Sequence, residues 1–421
     1  MRLTRLMTVL ALFLLPCAGA AGAAAAAGPI TSGEVVSGAF AAPDYAEIWT
    51  FDGTSGHRVL IAAVTTSGSA NTLIRLKRPN GTEAVASMND RAEFQLDVTG
   101  TWTIVVEDAG LNDAGTYNLS LLNVTAGPFT SGSDPDGGPI VPAELRTGQT
   151  NQAADFDAFT FSGTAGDRVL FTALATSGSP YNTTLTLYPP GGGAAETATG
   201  GGDRLDAQLA ATGVYTVVVE DIAIDDPGSY SLMLMNLTAG PLTSGSDPDG
   251  GNIVSAEIKA ANFSSVPDFD AWRFTGANGD RVLIAAVNTA AGSHNTMIYL
   301  YPPSGPAVIQ TSSDRTEYRL NAPGTWTIVV EDLGQDHTGS YCVSLLNITS
   351  GPLANGADPD GGPIVPAELR TGQTNQVGDF DAFTFSGTAG DRVLFTALAT
   401  SGSPYNTTLT LYPPGGGAAE T

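Results

Sequence analysis

The chain has 421 residues, 17 Lys and Arg against 42 Asp and Glu, and a formal net charge of −25. Such acidity argues against a nucleic-acid partner, because phosphate backbones reward basic surfaces. Of the two cysteines, Cys17 falls in an N-terminal leader. Cys342 then stands alone, so no intramolecular disulfide is expected and stability must come from cores or bound ions.

Residues 1–27 read as a secretory signal. Arg2 and Arg5 form a basic start, Met7 to Leu15 an apolar run, and Ala18 to Ala27 a small-residue stretch with several A-x-A cleavage points. The run is too short to span a bilayer, and no later segment predicts a membrane span. Pro16 ahead of Cys17 weighs against lipidation. A secreted protein is expected, extracellular or at the cell surface.

Beyond the leader one module repeats. DFDAFTFSGTAGDRVL at Asp155 to Leu170 returns at Asp268 to Leu283 and Asp379 to Leu394, with an altered copy, YAEIWTFDGTSGHRVL, at Tyr45 to Leu60. The string VVED ends at Asp108, Asp221 and Asp332, spacings of 113 and 111 residues. A period near a hundred residues is a whole domain with its own core rather than a solenoid turn. The expected boundaries are 28–126, 127–239, 240–350 and a partial unit at 351–421, here called repeats 1 to 4.

In repeat 2 the pattern alternates, with Val169, Phe171 and Ala173 set against Leu170, Thr172 and Leu174. Strands are predicted at Ile140 to Leu145, Ala158 to Ser162, Arg168 to Thr176, Thr183 to Tyr188, Leu205 to Leu209, Val214 to Glu220 and Ser229 to Leu237. Gly and Pro clusters such as YPPGGG at Tyr188 punctuate them. No stretch holds a helical period. The fold class expected is all-β, with tandem antiparallel jelly-roll-like β-sandwich domains. Repeat 4 carries only the first half of the strand set, which reads as a fragment of a longer protein or, alternatively, as a half module that pairs with another chain.

The order D-x-D-x-F-x-F, a-G-D-r-V, L-x-L-Y-x-P-x-G, t-G-x-Y/W-T-x-x-V and G-x-Y-x-L resembles bacterial pre-peptidase C-terminal domains. Repeat 3 carries it as Asp268, Asp270, Trp272, Phe274, Gly279, Asp280, Val282, Leu300, Tyr301, Pro303, Gly305, Gly324, Trp326, Val329, Gly339, Tyr341 and Val343. The resemblance implies a secreted accessory module, similar to collagenase collagen-binding domains, some of which bind calcium through acidic residues near the first strands. It also implies possible partners: an extracellular polymer (polysaccharide, collagen-like or cell-wall) or another protein. The DPDGG string ahead of repeats 2 to 4 lies outside the family pattern.

Catalysis has few materials here. His57, His294 and His337 occupy unrelated repeat positions, and no nucleophile–base pair recurs. The chain is therefore expected to be non-catalytic, an adhesion, binding or spacer array. The alternative is an accessory tail of a secreted peptidase or other hydrolase whose catalytic part lies outside these residues.

Calcium is the cofactor expected, since it takes roughly six to eight oxygens from carboxylates, carbonyls and water. Candidate ligands are Asp134, Asp136, Glu144, Asp155 and Asp157 in repeat 2, and Asp247, Asp249, Glu257, Asp268 and Asp270 in repeat 3. Repeat 4 offers Asp358, Asp360, Glu368, Asp379 and Asp381. An EF-hand is excluded by spacing, because Glu144 is the eleventh residue from Asp134 where that loop needs about the twelfth. DPDGG also suits a plain type I turn. Repeat 1 lacks DPDGG and has Tyr45 and Glu47 in place of the two aspartates, so it should bind weakly or not at all. A second acidic loop after VVED (Asp221, Asp225, Asp226) reads as an ordinary polar hairpin, and the Asp167–Arg168 and Asp203–Arg204 neighbours as surface ion pairs of little worth.

Overall fold

The computed structural model describes residues 25–177, 180–199, 204–289, 294–400 and 406–420. Most of the leader, including Cys17, lies outside these residues. Its last residues do not: Ala25–Pro29 forms a strand parallel to Ala46–Gly53. Among the described residues every regular element is a strand, no helix occurs, and most strand pairs are antiparallel.

Repeat 2 shows the plan. One sheet runs, in spatial order, Gly137–Pro139, Asp157–Gly163, Gly213–Asp221, Thr183–Tyr188 and Thr197–Ala198. The other runs Glu144–Thr150, Gly228–Asn236, Arg168–Ser177 and Arg204–Gln208. The two sheets share one core, with Phe159, Leu187, Tyr215 and Val217 from the first meeting Val169, Phe171, Leu205 and Leu232 from the second. Tyr215 and Phe171 are wholly buried, so truncating either to alanine costs about 3–5 kcal/mol. Repeats 1 and 3 reproduce the strand order and the core.

Six of the seven strands expected in repeat 2 form close to their predicted limits. The exception is Ile140 to Leu145. Ala143 takes a left-handed conformation (φ 62°), which breaks the run, and the strand starts at Glu144 and extends to Thr150. That stretch, ELRTGQT, pairs with Gly228–Asn236 while remaining largely polar and half-exposed, so it carries no apolar alternation.

The residues alternating with the core set are also buried, by the neighbouring repeat. Leu60, Ala62, Leu122 and Val124 of repeat 1 pack on Phe156, Ala158, Tyr188 and Val218 of repeat 2. Leu170, Met233 and Met235 of repeat 2 likewise meet Phe269, Ala271, Tyr299 and Val329 of repeat 3. A strand buried on both faces reads as a continuous apolar run, which is what VLIAA and VLFTA are.

A polar latch recurs within these contacts. The Arg91 guanidinium lies 3.2 Å from Glu220 and donates to the Tyr188 hydroxyl at 3.1 Å, while that hydroxyl donates to Glu93. Arg204 repeats this on Glu331 (3.5 Å) and Tyr301 (3.0 Å), and stacks 3.9 Å from the Tyr299 ring centroid. The expectation of a surface pair for Asp167 and Arg168 is thus corrected, and Asp203, expected beside Arg204, lies outside the described residues. Arg204 bridges repeats, and Arg168 pairs with Asp206 at 2.6 Å rather than with Asp167, which accepts from Asn236. In repeat 1 the equivalent Glu107 is held instead by Arg75 of the same repeat (2.7 Å).

Repeat 4 is different. Among its described residues the regular pairing is Gly361–Pro363 with Ala382–Thr384, plus one bridge from Leu411 to Glu420. Leu369 and Leu394 are 90% and 92% exposed, whereas Leu170, the counterpart of Leu394, is fully covered. In repeat 2 that cover includes the partner strand Gly228–Asn236, which has no counterpart in 351–421.

Removing Arg204 leaves Glu331, 3% exposed, without its cation. Arg204→Ala should lower unfolding free energy by about 3 kcal/mol, whereas Arg75→Ala, which breaks a half-exposed pair, should cost less than about 1 kcal/mol. Urea unfolding of the two variants checks this; equal losses would contradict the latch.

Candidate metal centre

Three carboxylates converge in each of repeats 2, 3 and 4. In repeat 2 these are Asp134, from the segment joining repeats 1 and 2, and Asp155 and Asp157, at the start of the strand Asp157–Gly163. Each offers an oxygen, and the three oxygens lie within 4.8 Å of one another. Asp247, Asp268 and Asp270 repeat the group, as do Asp358, Asp379 and Asp381.

Local backbone chemistry positions each one. Asp134 closes the DPDGG turn, its own N–H bonding the Ser131 hydroxyl and its carboxylate accepting the Asp136 N–H. The glycines that follow let this segment lie against the sheet. At Gly137 (φ 132°) a Cβ would sit 2.7 Å from the Ala158 carbonyl, so a side chain there would block the parallel pairing. Asp155 accepts the Asn151 N–H at 2.7 Å, and Asp157 accepts the Tyr230 hydroxyl at 2.8 Å. In repeat 3, Asp268 accepts from Ser264 and Asp270 from Tyr341 at 2.6 Å.

Each carboxylate thus spends one oxygen on the protein and leaves the other open. Asp134, Asp155 and Asp157 are 3%, 3% and 0% exposed. Yet Oδ2 of Asp134 and Oδ1 of Asp155 and Asp157 are buried with no hydrogen-bond partner, and the same atoms are unpartnered in Asp247, Asp268 and Asp270. In repeat 4 the open atoms are Oδ1 of Asp379 and Asp381. Buried polar atoms are nearly always satisfied, so open carboxylate oxygens in such a cluster are a donor set that could hold a cation.

The electrostatics agree. Burial first, and the Asp155 carboxylate second, push Asp134 up to about 7. Burial pushes Asp155 up to about 6 against backbone N–H bonds that favour its charge. Asp157 is driven well above the carboxylate range by burial and by Asp155 and Asp134. Asp247 rises to about 7 for the same causes, and Asp270 well above.

The other expected ligands lie apart. Asp136 is close enough to raise its neighbours, but it accepts the Gln149 N–H at 3.0 Å and is not one of the three. Asp249 and Asp360 do likewise with Asn262 and Gln373. Glu144 does not converge at all. Its carboxylate folds back to the Val141 N–H and pairs with Arg146, because the turn at Ala143 carries it into the other sheet. Glu257 and Glu368 are engaged in the same way, with Val254 and Lys259 and with Val365 and Arg370.

Repeat 1 has Glu47 in the place of Asp157. One Glu47 oxygen accepts both the Tyr117 hydroxyl (2.7 Å) and the Ala39 N–H, and the triad's other positions are not acidic. The second acidic loop also groups carboxylates, but they fold the loop. Asp221 accepts from Asn182 and Ala223, and Asp332 from Asn295, Asp336 and His337. Sequence reasoning missed the inter-repeat residues Arg91, Glu220, Arg204 and Glu331. The signal available was the Glu of VVED, followed by an apolar contact face rather than solvent.

No protein-family model and no curated protein matches the chain. Among solved structures it is similar to the pre-peptidase C-terminal domain of collagenase from Bacillus anthracis, 19% identical over 24% of this chain and 97% of that one, with a TM-score of 0.21. It is also similar to PliG, a periplasmic inhibitor of g-type lysozyme from Aeromonas hydrophila (17% identity, 24% and 96% coverage, TM-score 0.20). A third is the CBM22 tandem domain of Paenibacillus barcinonensis Xyn10C (11% identity, 49% and 92% coverage, TM-score 0.15). At these identities and TM-scores no residue and no ligand transfers to this chain.

The raised carboxylates bind protons more tightly folded than unfolded. Metal-free protein should therefore lose stability as pH rises from the ordinary carboxylate range through about 7. Chelated protein should melt lower at about pH 8 than at about pH 5, and Asp157→Asn with Asp270→Asn should flatten that slope. A slope unchanged by the double variant would contradict the assignment.

Proposed function

We propose that the chain is an exported, non-catalytic array of jelly-roll modules, stiffened by calcium at the aspartate triads and acting as a spacer or binding array for an extracellular polymer. The observation that carries the metal is the set of buried, unpartnered carboxylate oxygens recurring at one position in successive repeats. An all-oxygen, carboxylate-rich site suits calcium; zinc would call for nitrogen or sulfur ligands. Water and backbone carbonyls would complete the roughly six to eight ligands.

The jelly-roll assignment is supported by strand order. Apart from the short first strand, each of repeats 1 to 3 places four strands in each sheet, and the chain crosses between sheets at all but one step. The modules are those delimited at 28–126, 127–239, 240–350 and 351–421. The non-catalytic reading is supported by the histidines. His57 bonds Asn123, His294 faces the Ser340 carbonyl and the Phe263 ring, and His337 pairs with Asp336. Among the described residues none of the three is hydrogen-bonded to a serine, threonine or cysteine side chain.

Because Asp134 sits in the segment between repeats and Asp155 and Asp157 sit on the sheet, a bound ion would tie each junction to the module that follows. At a hundred times its dissociation constant an ion adds about 2.7 kcal/mol to the module that binds it. Calorimetric melting with millimolar calcium and then with chelator should show a shift of roughly 10 °C in the transition of repeats 2 and 3. Superimposable curves would sink the metal.

A further inference from the structure

The junctions between repeats are not alike, and the difference leaves a groove. Where repeat 2 meets repeat 1, the PPGGG tip folds onto the neighbour. The Arg58 Nε donates to the Gly192 carbonyl at 3.0 Å, and a Cβ on Gly192 would meet the Gly56 carbonyl at 2.7 Å. Where repeat 4 meets repeat 3, Arg281 Nε donates to the Gly416 carbonyl at 2.8 Å in the same way. These glycine tongues fill their sockets.

Repeat 3 carries PPSGP at this place, and its hairpin is one residue shorter. The closing bond runs from Val308 to Leu300, against Glu196 to Leu187 and Glu420 to Leu411 in the others. Its socket on repeat 2, formed by Gly166, Arg168 and Thr238, opens into a groove of about 650 Å³ that continues onto repeat 3. That volume falls in the range of ligand sites, about 300–1,000 Å³.

A second change converges there. Arg273 lines the groove where repeats 1, 2 and 4 have Thr50, Thr160 and Thr384. Its Nε and Nη2 donate to the Leu237 carbonyl and Nη2 also to the Asn236 carbonyl, which anchors the guanidinium while Nη1 donates to neither. Burial alone pushes the Arg273 guanidinium down, with no carboxylate opposing it. Arg168, by contrast, is already neutralised by Asp206. The lining includes no Asp or Glu, and Gln208, Asn252, Thr275, Thr325 and Thr327 supply neutral donors and acceptors. The chain's overall negative charge is screened beyond about 8 Å at physiological salt, so the unpaired guanidinium sets the local field.

We propose that this groove is a binding site for an acidic saccharide, its carboxylate or sulfate held by Arg273 and its hydroxyls by the amides and threonines. The proposal deepens the binding role above and does not depend on the aspartate triads. Calorimetric titration of the full chain with oligogalacturonate, a sulfated oligosaccharide and neutral cello-oligosaccharide tests it. Binding to one or both acidic probes, not to the neutral one, is expected, weakened at least about tenfold by Arg273→Thr, the residue the sibling repeats carry. The variant should remain folded while losing some stability with its bonds to the Leu237 and Asn236 carbonyls, and chelation should leave affinity unchanged. Acidic-saccharide binding that survives Arg273→Thr overturns the groove while leaving a binding array standing elsewhere. No binding to either acidic probe, or equal binding of the neutral one, overturns the site.

Discussion

Three carboxylates buried within 4.8 Å of one another, each with an oxygen that nothing satisfies, are the constraint around which the repeat is arranged. Like charges at that separation repel strongly at the low effective dielectric of a partly buried site. The protein can hold them neutral by protonation or hold them charged around a cation. It cannot hold them charged alone. The hydrogen bonds from Asn151 and Tyr230 occupy one oxygen of Asp155 and one of Asp157, and the other oxygen of each is buried without a partner.

This constraint acts at the junctions. The first aspartate of each triad belongs to the segment that leaves the preceding repeat, and in repeats 2 and 3 that segment pairs in parallel with the strand that carries the third aspartate and follows the second. Around it the outer faces of successive repeats share apolar clusters and an arginine–glutamate–tyrosine latch. Successive repeats are therefore joined both by apolar packing and by charged contacts. Repeat 1 shares the apolar contact and the latch with repeat 2 but carries no triad of its own among the described residues. Glu47 replaces the second strand aspartate, and Arg75 holds Glu107 within the repeat.

Much of this was legible in the sequence. Turn residues and alternation placed six strands of repeat 2, and the recurrence of Asp134, Asp155 and Asp157 marked the residues that converge. Glu144 lies outside the triad because nearness along the chain is not nearness in space: after the left-handed Ala143 it enters the other sheet. The second burial of Leu170 was visible as an apolar residue on the supposed outer face, but alternation drew attention to Val169 and Phe171. Arg204 looked like a surface charge because its partner, Glu331, is 127 residues away in sequence. The groove between repeats 2 and 3 depends on one missing residue in a hairpin, which no pattern of residue types announces.

The most direct test of the triads uses their own tyrosines. Tyr230 and Tyr341 donate to Asp157 and Asp270, so terbium bound at these sites lies close enough to be sensitised by tyrosine excitation. The account predicts terbium emission that calcium displaces and that falls sharply when Asp157→Asn and Asp270→Asn are combined. Emission that is absent, or that the double substitution leaves intact, would contradict it.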